Sequence, residues 1–413
     1  MSKPNPIIYL QEEQITPFFA KKFAKGKSIV GIAYSFDNDS VFHIHIKEPK
    51  YTPSGFSKSC VITFLPEGEI LGNLNLLNNK REESKDSSLF IFFTLINDTL
   101  KHTSFLIKEN KVINCDIKYI PERSELYSRS KGLLETGKLS QKTVGIVGLG
   151  SGGSPLAIEL AKAGVGNFVL IDFDRLELSN VARHICGIND LGRFKTYAVK
   201  DAILQKNPHA EVSTLEIDVN EYSNECSTAL SNVDLIMCAS DNDRSRFLLN
   251  EIALKYKIPA IFGRAITRAI GGDVLRVRPF QGPCYSCLYS LNIRQEGGDD
   301  EEISQEKQAK KLLPDYTGEN DIKTVIQVGL SSDIAPISNF MVKLALVELS
   351  RGIDSGIKSL EEDFIADFYI WANRREKTYE NWSKLEYNFN QPTILRWYGA
   401  RIGRDNNCMV CGN

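Results

Sequence analysis

The sequence predicts an α/β protein: a mostly parallel sheet with helices on both faces, preceded by a β-rich or α+β accessory domain. Three observations predict it. From near Tyr127 onward, strand-length apolar runs alternate with helix-length segments, the order that lays parallel strands side by side under crossover helices. A glycine-rich turn stands between the first of these strands and the first helix. Before that point the chain instead carries short apolar runs of alternating pattern, divided by turn residues.

The accessory domain is drawn as residues 1–124, with a role in substrate recognition. Strands are expected at Ser28–Tyr34, Val41–Ile46, Cys60–Leu65, Leu89–Leu95 and Ser104–Ile107. Phe36-Asp-Asn-Asp39 and Pro66-Glu-Gly68 supply turns. The polar run Asn78–Ser88 is expected to be a loop. His43-Ile-His45, followed by Ser57 and Cys60, resembles the JAB-type isopeptidase arrangement of H-x-H and then S-x-x-D. The proline after the histidines is absent, and Cys60 stands where aspartate belongs. The expectation is therefore two strand residues on a solvated face.

The second domain is drawn as residues 125–413. Thr143–Val147 is a buried strand, Ser154–Ala163 a helix and Phe168–Ile171 the next strand. Thr196–Asn207 carries apolar residues at helical spacing, Val212–Ile217 and Leu235–Cys238 are further strands, and Ser338–Ser350 is an apolar helix. Arg294–Lys323 is charged and poor in core residues, so a solvated crossover loop is expected at about 291–325.

Composition limits the function classes. A chain of 413 residues holds two or three domains with a large core. Its 42% hydrophobic and 25% charged residues are ordinary for a soluble globular protein. A formal net charge of -2 gives no footing for nucleic acid or a membrane surface. No apolar run reaches membrane-span length, and MSKPNPIIYLQEEQ lacks the layout of a signal peptide. A cytoplasmic protein with neither nucleic-acid nor membrane partners is expected. Nine cysteines, an odd count, argue against a disulfide framework, and four of them form two CxxC pairs.

Gly148-Leu-Gly-Ser-Gly-Gly153 follows a strand and opens a helix, and Asp172 ends the next strand about 20 residues on. Gly148, Gly150, Gly152 and Gly153 permit a tight turn and let a ligand approach the backbone around Ser151. The helix N-terminus supplies N–H donors, and the aspartate can accept from ribose hydroxyls. The sheet is therefore Rossmann-like. By itself the motif fits NAD as readily as ATP.

The residues beyond Asp172 separate the two. The run Ile171-Asp-Phe-Asp-Arg-Leu-Glu-Leu-Ser-Asn-Val-Ala-Arg183 leads to Gly192-Arg-Phe-Lys195 and later to Ala239-Ser-Asp-Asn-Asp-Arg-Ser-Arg246. This resembles the ThiF/MoeB/HesA family and its ubiquitin-activating relatives: D-x-D-x-V-x-x-S-N-x-x-R, a lysine in G-x-x-K, then an Asp-Asn pair with an arginine beyond. Leu176 replaces the valine. The resemblance implies an ATP-dependent adenylyltransferase that activates the C-terminal carboxylate of a peptide or small ubiquitin-like protein as an acyl-adenylate. Such chemistry brings two anions together, so cationic groups must screen them. Asn180, Arg183 and Lys195 are implied to contact the phosphates, and Ser179 and Asp174 to lie in the nucleotide site. Asp241 would hold magnesium, and Asn242 would orient the nucleotide. Glu125-Leu-Tyr-Ser-Arg129-Ser resembles the R-Y-S-R-Q segment before the first strand, although Leu126 and Ser130 depart from it. In the family that second arginine reaches the partner's triphosphate, so the resemblance implies a homodimer with Arg129 acting in trans.

Cys284-Tyr-Ser-Cys287 and Cys408-Met-Val-Cys411 are two CxxC pairs, the donor set of a structural four-thiolate zinc site. Pro283 and Gly412 suit the knuckle turns, and the metal would staple the C-terminal tail to the domain.

Many relatives carry an acyl-accepting cysteine in the crossover loop, yet no cysteine lies between Leu288 and Asn407. Cys186 alone remains a candidate. The absence points to an enzyme that stops at, or reacts on from, the adenylate. Ala335-Pro-Ile-Ser-Asn339 and the final Cys-Gly-Asn resemble the microcin C-type peptide adenylating branch. A full activating enzyme with thioester transfer, a non-catalytic scaffold subunit and a nicotinamide-dependent oxidoreductase remain as alternatives.

Overall fold

The computed structural model describes residues 4–11, 14–17, 27–48, 53, 55–66, 74–97, 99–120, 126–266, 269, 271–293, 329–373 and 395–412. The expected crossover loop therefore falls almost entirely outside the described residues. The chain forms two compact units, Met1–Ser128 and Arg129–Asn413.

Among its described residues the first unit is one eight-stranded sheet with a single helical turn at 14–17 and one longer helix. Its elements are β1 Ile7–Gln11, β2 Ser28–Phe36, β3 Val41–His45, β4 Phe56–Phe64, α1 Leu74–Glu83, β5 Ser87–Ile96, β6 Thr99–Lys108, β7 Lys111–Asn114 and β8 Asp116–Ile120. The strand order is β7-β6-β5-β4-β2-β3-β1-β8. β1 pairs in parallel with β3 and β8, and β4 with β5, while the remaining pairs are antiparallel. Period-two alternation buries Ile8, Leu10, Phe42, Ile44, Cys60, Ile62, Leu89 and Ile91 in one core. Leu77 of α1 packs on Val61, Phe90, Phe92 and Phe105.

Two expectations fail here. Part of the run Asn78–Ser88 is helix α1, not a loop. Its run of leucines is too short to show a period in the sequence, and burial of Leu77 stabilises the helix. His43 and His45 are not on a solvated face either. His45 is buried, and His43 lies between Tyr9 and Phe36, with ring centroids 5.3 and 5.1 Å away. Ser57 lies opposite Tyr34, which lies opposite His43, whereas Cys60 is in the core with Phe42 and Ile44. The two histidines and Cys60 thus occupy opposite faces and build no common site.

The second unit runs α2 Thr136–Leu139, β9 Thr143–Val147, α3 Gly153–Lys162, β10 Asn167–Ile171, α4 Leu178–Val181, α5 Lys195–Lys206, β11 Glu211–Leu215, α6 Ser223–Leu230, β12 Leu235–Cys238, α7 Asp243–Tyr256, β13 Ala260–Ala265, β14 Gly271–Val277, α8 Cys287–Ser290, α9 Ser331–Leu349, α10 Ser359–Asp363, β15 Phe368–Ala372 and β16 Arg396–Ala400. The sheet order is β11-β10-β9-β12-β13-β14-β15-β16. The first five strands are parallel, and β14 to β16 extend the sheet in antiparallel fashion.

Helices cover both faces. α3 packs with α5 and α9 over one of them. α6 and α7 cover the other, with Leu230, Leu249 and Ile252 in a core that includes Val147, Ile236 and Phe262. A Cβ on Gly263 would meet Met341 Sδ at 2.2 Å, and one on Gly272 would meet Ile337 at 2.2 Å. Glycine there is what lets α9 lie close to the sheet. α9 starts at Ser331, seven residues before the expected Ser338, and runs through Pro336. The proline, six residues in, gives up the bond to the Ser332 carbonyl and crowds it, within the first two turns of the helix.

In the parallel part the strand order reverses between β9 and β12. Loops leaving the carboxyl ends of those two strands diverge and open a crevice, the place where α/β sheets bind ligands. The glycine turn leaves β9 there, and Ala239-Ser-Asp241 leaves β12.

Candidate active site

The glycine turn is shaped by steric necessity and held by three side chains. Gly148 has φ +84°, and a Cβ on it would lie 2.8 Å from the Ala239–Ser240 backbone. A Cβ on Gly153 would fall 1.9 Å from the Gly148 carbonyl. Both positions require glycine. Gly150 faces open space instead, so a ligand can approach its backbone. The Leu149 N–H donates to Asp172 Oδ2 at 2.6 Å. His184 Nε2 donates to the Leu149 carbonyl at 2.8 Å. Ser338 Oγ, from α9, donates to the Gly152 carbonyl at 2.9 Å. Ser151 stays partly exposed at the tip.

Asp172 is buried, and its Oδ1 also accepts the Asp174 N–H at 2.9 Å. Burial raises its pKa above the ordinary carboxylate value, against the pull of Lys195 and the two amides. Its first task is thus to fix the turn.

Lys195 begins α5 and is buried to 8% exposure. Its Nζ donates to Asp174 Oδ2 at 2.6 Å, and its N–H to the Asp174 carbonyl at 3.0 Å. Asp174 thus holds the ammonium beside the turn. Asn180 Oδ1 accepts the Glu177 N–H at 3.0 Å in a capping box on α4. That leaves its amide group to donate to a ligand. Arg183 is half-buried, one residue before His184, and Ser179 is exposed next to Glu177.

Asp241 is exposed, and its contact with Asn242 Nδ2 is long, 3.5 Å. Asn242 is the N-cap of α7: its Oδ1 accepts the Ser245 N–H at 2.9 Å. Arg246 is 2% exposed and committed to Asp243 Oδ1 and the Ser240 carbonyl, each at 2.9 Å. Arg129 is exposed on the 3-10 turn Ser128–Ser130, and none of the bonds that tie the glycine turn involves it. The structure therefore gathers the turn, Asp172, Asp174 and Lys195 into one bonded set, with the Ala239–Ser240 backbone that leads to Asp241 packed against Gly148.

His184 is the site residue that sequence reasoning missed. Its Nδ1 accepts the Cys186 N–H at 3.0 Å, so Nε2 carries the proton given to Leu149. Burial depresses its pKa below 6.5. Folding then favours the neutral ring, so this contribution to stability is complete above pH 6.5 and falls away as the pH drops below it. His184→Ala strands the buried Leu149 carbonyl and should raise the KM for ATP about tenfold. The pH dependence below 6.5 should flatten in the same variant, measured by melting and ATP titration. An unchanged KM would remove His184 from the site.

Cys186 is buried and its thiol is pushed up to about 12, chiefly by burial. A protonated, enclosed thiol is a poor acyl acceptor.

Cys284, Cys287, Cys408 and Cys411 converge, all buried, with every Sγ within 4.8 Å of the others. Neighbouring sulfurs lie 3.7 Å (Cys284–Cys408), 3.8 Å (Cys284–Cys287) and 3.5 Å (Cys287–Cys411) apart. Disulfides require about 2 Å. A tetrahedron of thiolates around zinc requires about 3.8 Å, given Zn–S bonds of about 2.3 Å. The cluster fits the second. A Cβ on Gly412 would lie 2.4 Å from the Cys408 carbonyl, so the second knuckle needs glycine at that position.

The ThiF family model matches residues 125–369, more than half of the chain. The adenylyltransferase and sulfurtransferase MOCS3 of Culex quinquefasciatus is 32% identical over 189 residues, 44% of this chain and 42% of that protein. Its Drosophila virilis counterpart is 34% identical over 171 residues, 40% of this chain and 37% of that protein. The matched segment thus spans less than half the length of these curated relatives. Among solved structures, Escherichia coli MccB with AMPCPP and MccA covers 70% of this chain and 75% of its own at a TM-score of 0.48 and 19% identity. The segment matched by the family model contains the glycine turn, Asp172, Arg183, Lys195 and Asp241, and the chain belongs to the ThiF family.

Proposed function

We propose that the protein is an ATP-dependent adenylyltransferase that activates the C-terminal carboxylate of a peptide or small ubiquitin-like protein. A carboxylate oxygen attacks the α-phosphorus of ATP. The bond from that phosphorus to the bridging oxygen breaks, and pyrophosphate leaves with the electron pair. One observation carries the reading: an open Gly150 backbone on a turn that Asp172 links to Asp174 and the buried Lys195, at the strand-order reversal, with the segment leading to Asp241 packed against Gly148. The glycine turn and the amide of Asn180 bind phosphate. Lys195 and Arg183 screen the meeting anions and the charge that grows on pyrophosphate. Release of Lys195 from Asp174 to the triphosphate accompanies nucleotide binding. Magnesium, held through Asp241, would neutralise phosphate charge. Zinc at the four cysteines would be structural. No side chain needs to be a nucleophile, and the enclosed Cys186 thiol disfavours thioester transfer.

ATP–pyrophosphate exchange tests the reading. Purified protein should exchange label only with a suitable peptide tail, and the microcin C-type likeness makes short peptides ending in asparagine the first choice. No exchange with any tail, and no protection from heat by ATP with magnesium, would overturn it.

The same reading makes the protein a homodimer with Arg129 acting in trans. Phe173, Leu178, Ile188 and Leu191 are exposed around the site segment, an apolar surface suited to a second copy. Arg129→Ala and Asp241→Ala should each be inactive alone. Mixed in equal amounts, they should regain about a quarter of the wild-type rate, since half of the dimers then hold one intact site. A mixture no more active than its parts would remove Arg129 from the partner's site.

A further inference from the structure

We propose that Tyr285 and Tyr289, the tyrosines of the first cysteine knuckle, position the Asp241–Asn242 turn through Asp243, so that the four-cysteine centre braces the nucleotide site. The proposal rests on the adenylation reading only for what Asp241 does once positioned.

The bonds run without a gap from the cysteines to the turn. Tyr285 lies between Cys284 and Cys287, and Tyr289 lies two residues beyond Cys287. Tyr285 Oη donates to Asp243 Oδ1 at 2.6 Å, and Tyr289 Oη to Asp243 Oδ2 at 2.5 Å. Arg246 Nη1 donates to the same Oδ1 at 2.9 Å, while its Nη2 donates to the Ser240 carbonyl at 2.9 Å. Ser245 Oγ donates to Ser240 Oγ at 2.6 Å. Ser240 and Asp243 are therefore clamped on either side of Asp241 and Asn242. Lower down α7, Asn250 Oδ1 accepts the Tyr285 N–H at 2.9 Å, so the knuckle grips the helix at two levels.

The need for such a brace comes from Asp241 itself. It is exposed and has no short bond of its own among those described. Its carboxylate can only be as well placed as the backbone that carries it. The tyrosines are held in place: Tyr285 is 1% exposed, with Phe247 edge-on and Phe262 tilted against it at ring centroids 5.3 and 5.1 Å, and Tyr289 packs on Phe247 at 5.0 Å. Charge-assisted bonds to a carboxylate are the strong kind, and Asp243 also complements the N-terminus of α7. Asp243 is a positioning residue in this scheme, and it touches neither nucleotide nor substrate.

The test uses the full-length, zinc-loaded protein and the variant carrying both Tyr285→Phe and Tyr289→Phe, which keeps the rings and loses the hydroxyls. Zinc content and melting temperature should stay near wild type. Without nucleotide, amide hydrogen exchange across residues 240–246 should quicken about tenfold. The KM for ATP should rise about tenfold with kcat changed far less. Asp243→Asn, which leaves all four cysteines and both tyrosines in place, should reproduce the pattern should the double variant shed zinc. Unchanged exchange at 240–246 and an unchanged KM, with zinc retained, would overturn the brace. The exchange arm needs no catalysis: a wild-type protein that fails to bind ATP would end the adenylation reading and leave this comparison decisive.

Discussion

Replacing Asp241 by alanine is expected to lower ATP–pyrophosphate exchange by about 10³-fold or more, with the melting temperature moved by no more than about 2 °C. The two halves of this expectation come from different facts. The carboxylate is exposed, and its contact with Asn242 spans 3.5 Å, so little folding energy depends on it. In the proposed reaction, by contrast, it holds the cation that offsets phosphate charge as two anions meet. Its neighbour should behave the opposite way. Asn242 caps α7 through the Ser245 N–H at 2.9 Å, so Asn242→Ala should cost about 1 kcal/mol of stability and far less rate than Asp241→Ala. Near-normal exchange in Asp241→Ala would refute the role given to this carboxylate. A fall in melting temperature matching that of Asn242→Ala would mean that Asp241 acts by holding the turn.

Much of the second unit was legible because its signals are local. Strands β9 and β12 occupy the expected residues, Thr143–Val147 and Leu235–Cys238. Each is a short apolar run ended by residues that must turn, and Gly148 with its positive φ leaves the strand no way to continue. The two CxxC pairs converge as their spacing implied. What escaped depends on contacts between distant residues. Nothing in Leu74–Glu83 marks a helix until Leu77 finds Phe90 and Phe92. His184 is one histidine after a recognised arginine, and its value lies in reaching Leu149, 35 positions away. The family motif gives Asn242 to nucleotide orientation, yet an asparagine three residues before a serine amide is also an N-cap, and the motif alone does not separate the two. The edge strands β7 and β8 are only four and five residues long and bury few side chains, so their apolar signal is weak.

The second large effect is expected at the four cysteines. Cys408→Ser should abolish stoichiometric zinc binding and lower the melting temperature of the second unit by about 10 °C, a loss of roughly 4 kcal/mol or more. Cys408 is 4% exposed with Cys284 Sγ at 3.7 Å, and a serine hydroxyl there is a poor zinc ligand left inside a thiolate shell. The two knuckles are not held alike. The first is anchored to α7 by the Tyr285 amide on Asn250 and by two tyrosine hydroxyls on Asp243. Around the second, the described bonds are mostly internal, Gly412 N–H to the Cys408 carbonyl at 2.8 Å and Arg404 to the Cys411 carbonyl at 2.7 Å. Links outward include a hydrogen bond between Asp405 and Ser290, the Asp405 backbone against the Cys287 sulfur, and Arg404 over the Phe280 ring at 5.7 Å. With the metal gone, the C-terminal knuckle should therefore detach first, while β9 to β14 keep their protection. Hydrogen exchange across 401–412 should rise well before that across 143–147, and a zinc chelator added to the wild type should give the same pattern. Equal zinc content and an unshifted melting curve in Cys408→Ser would show that hydrogen bonds and side-chain burial alone hold the tail, and that the four sulfurs meet for no metal.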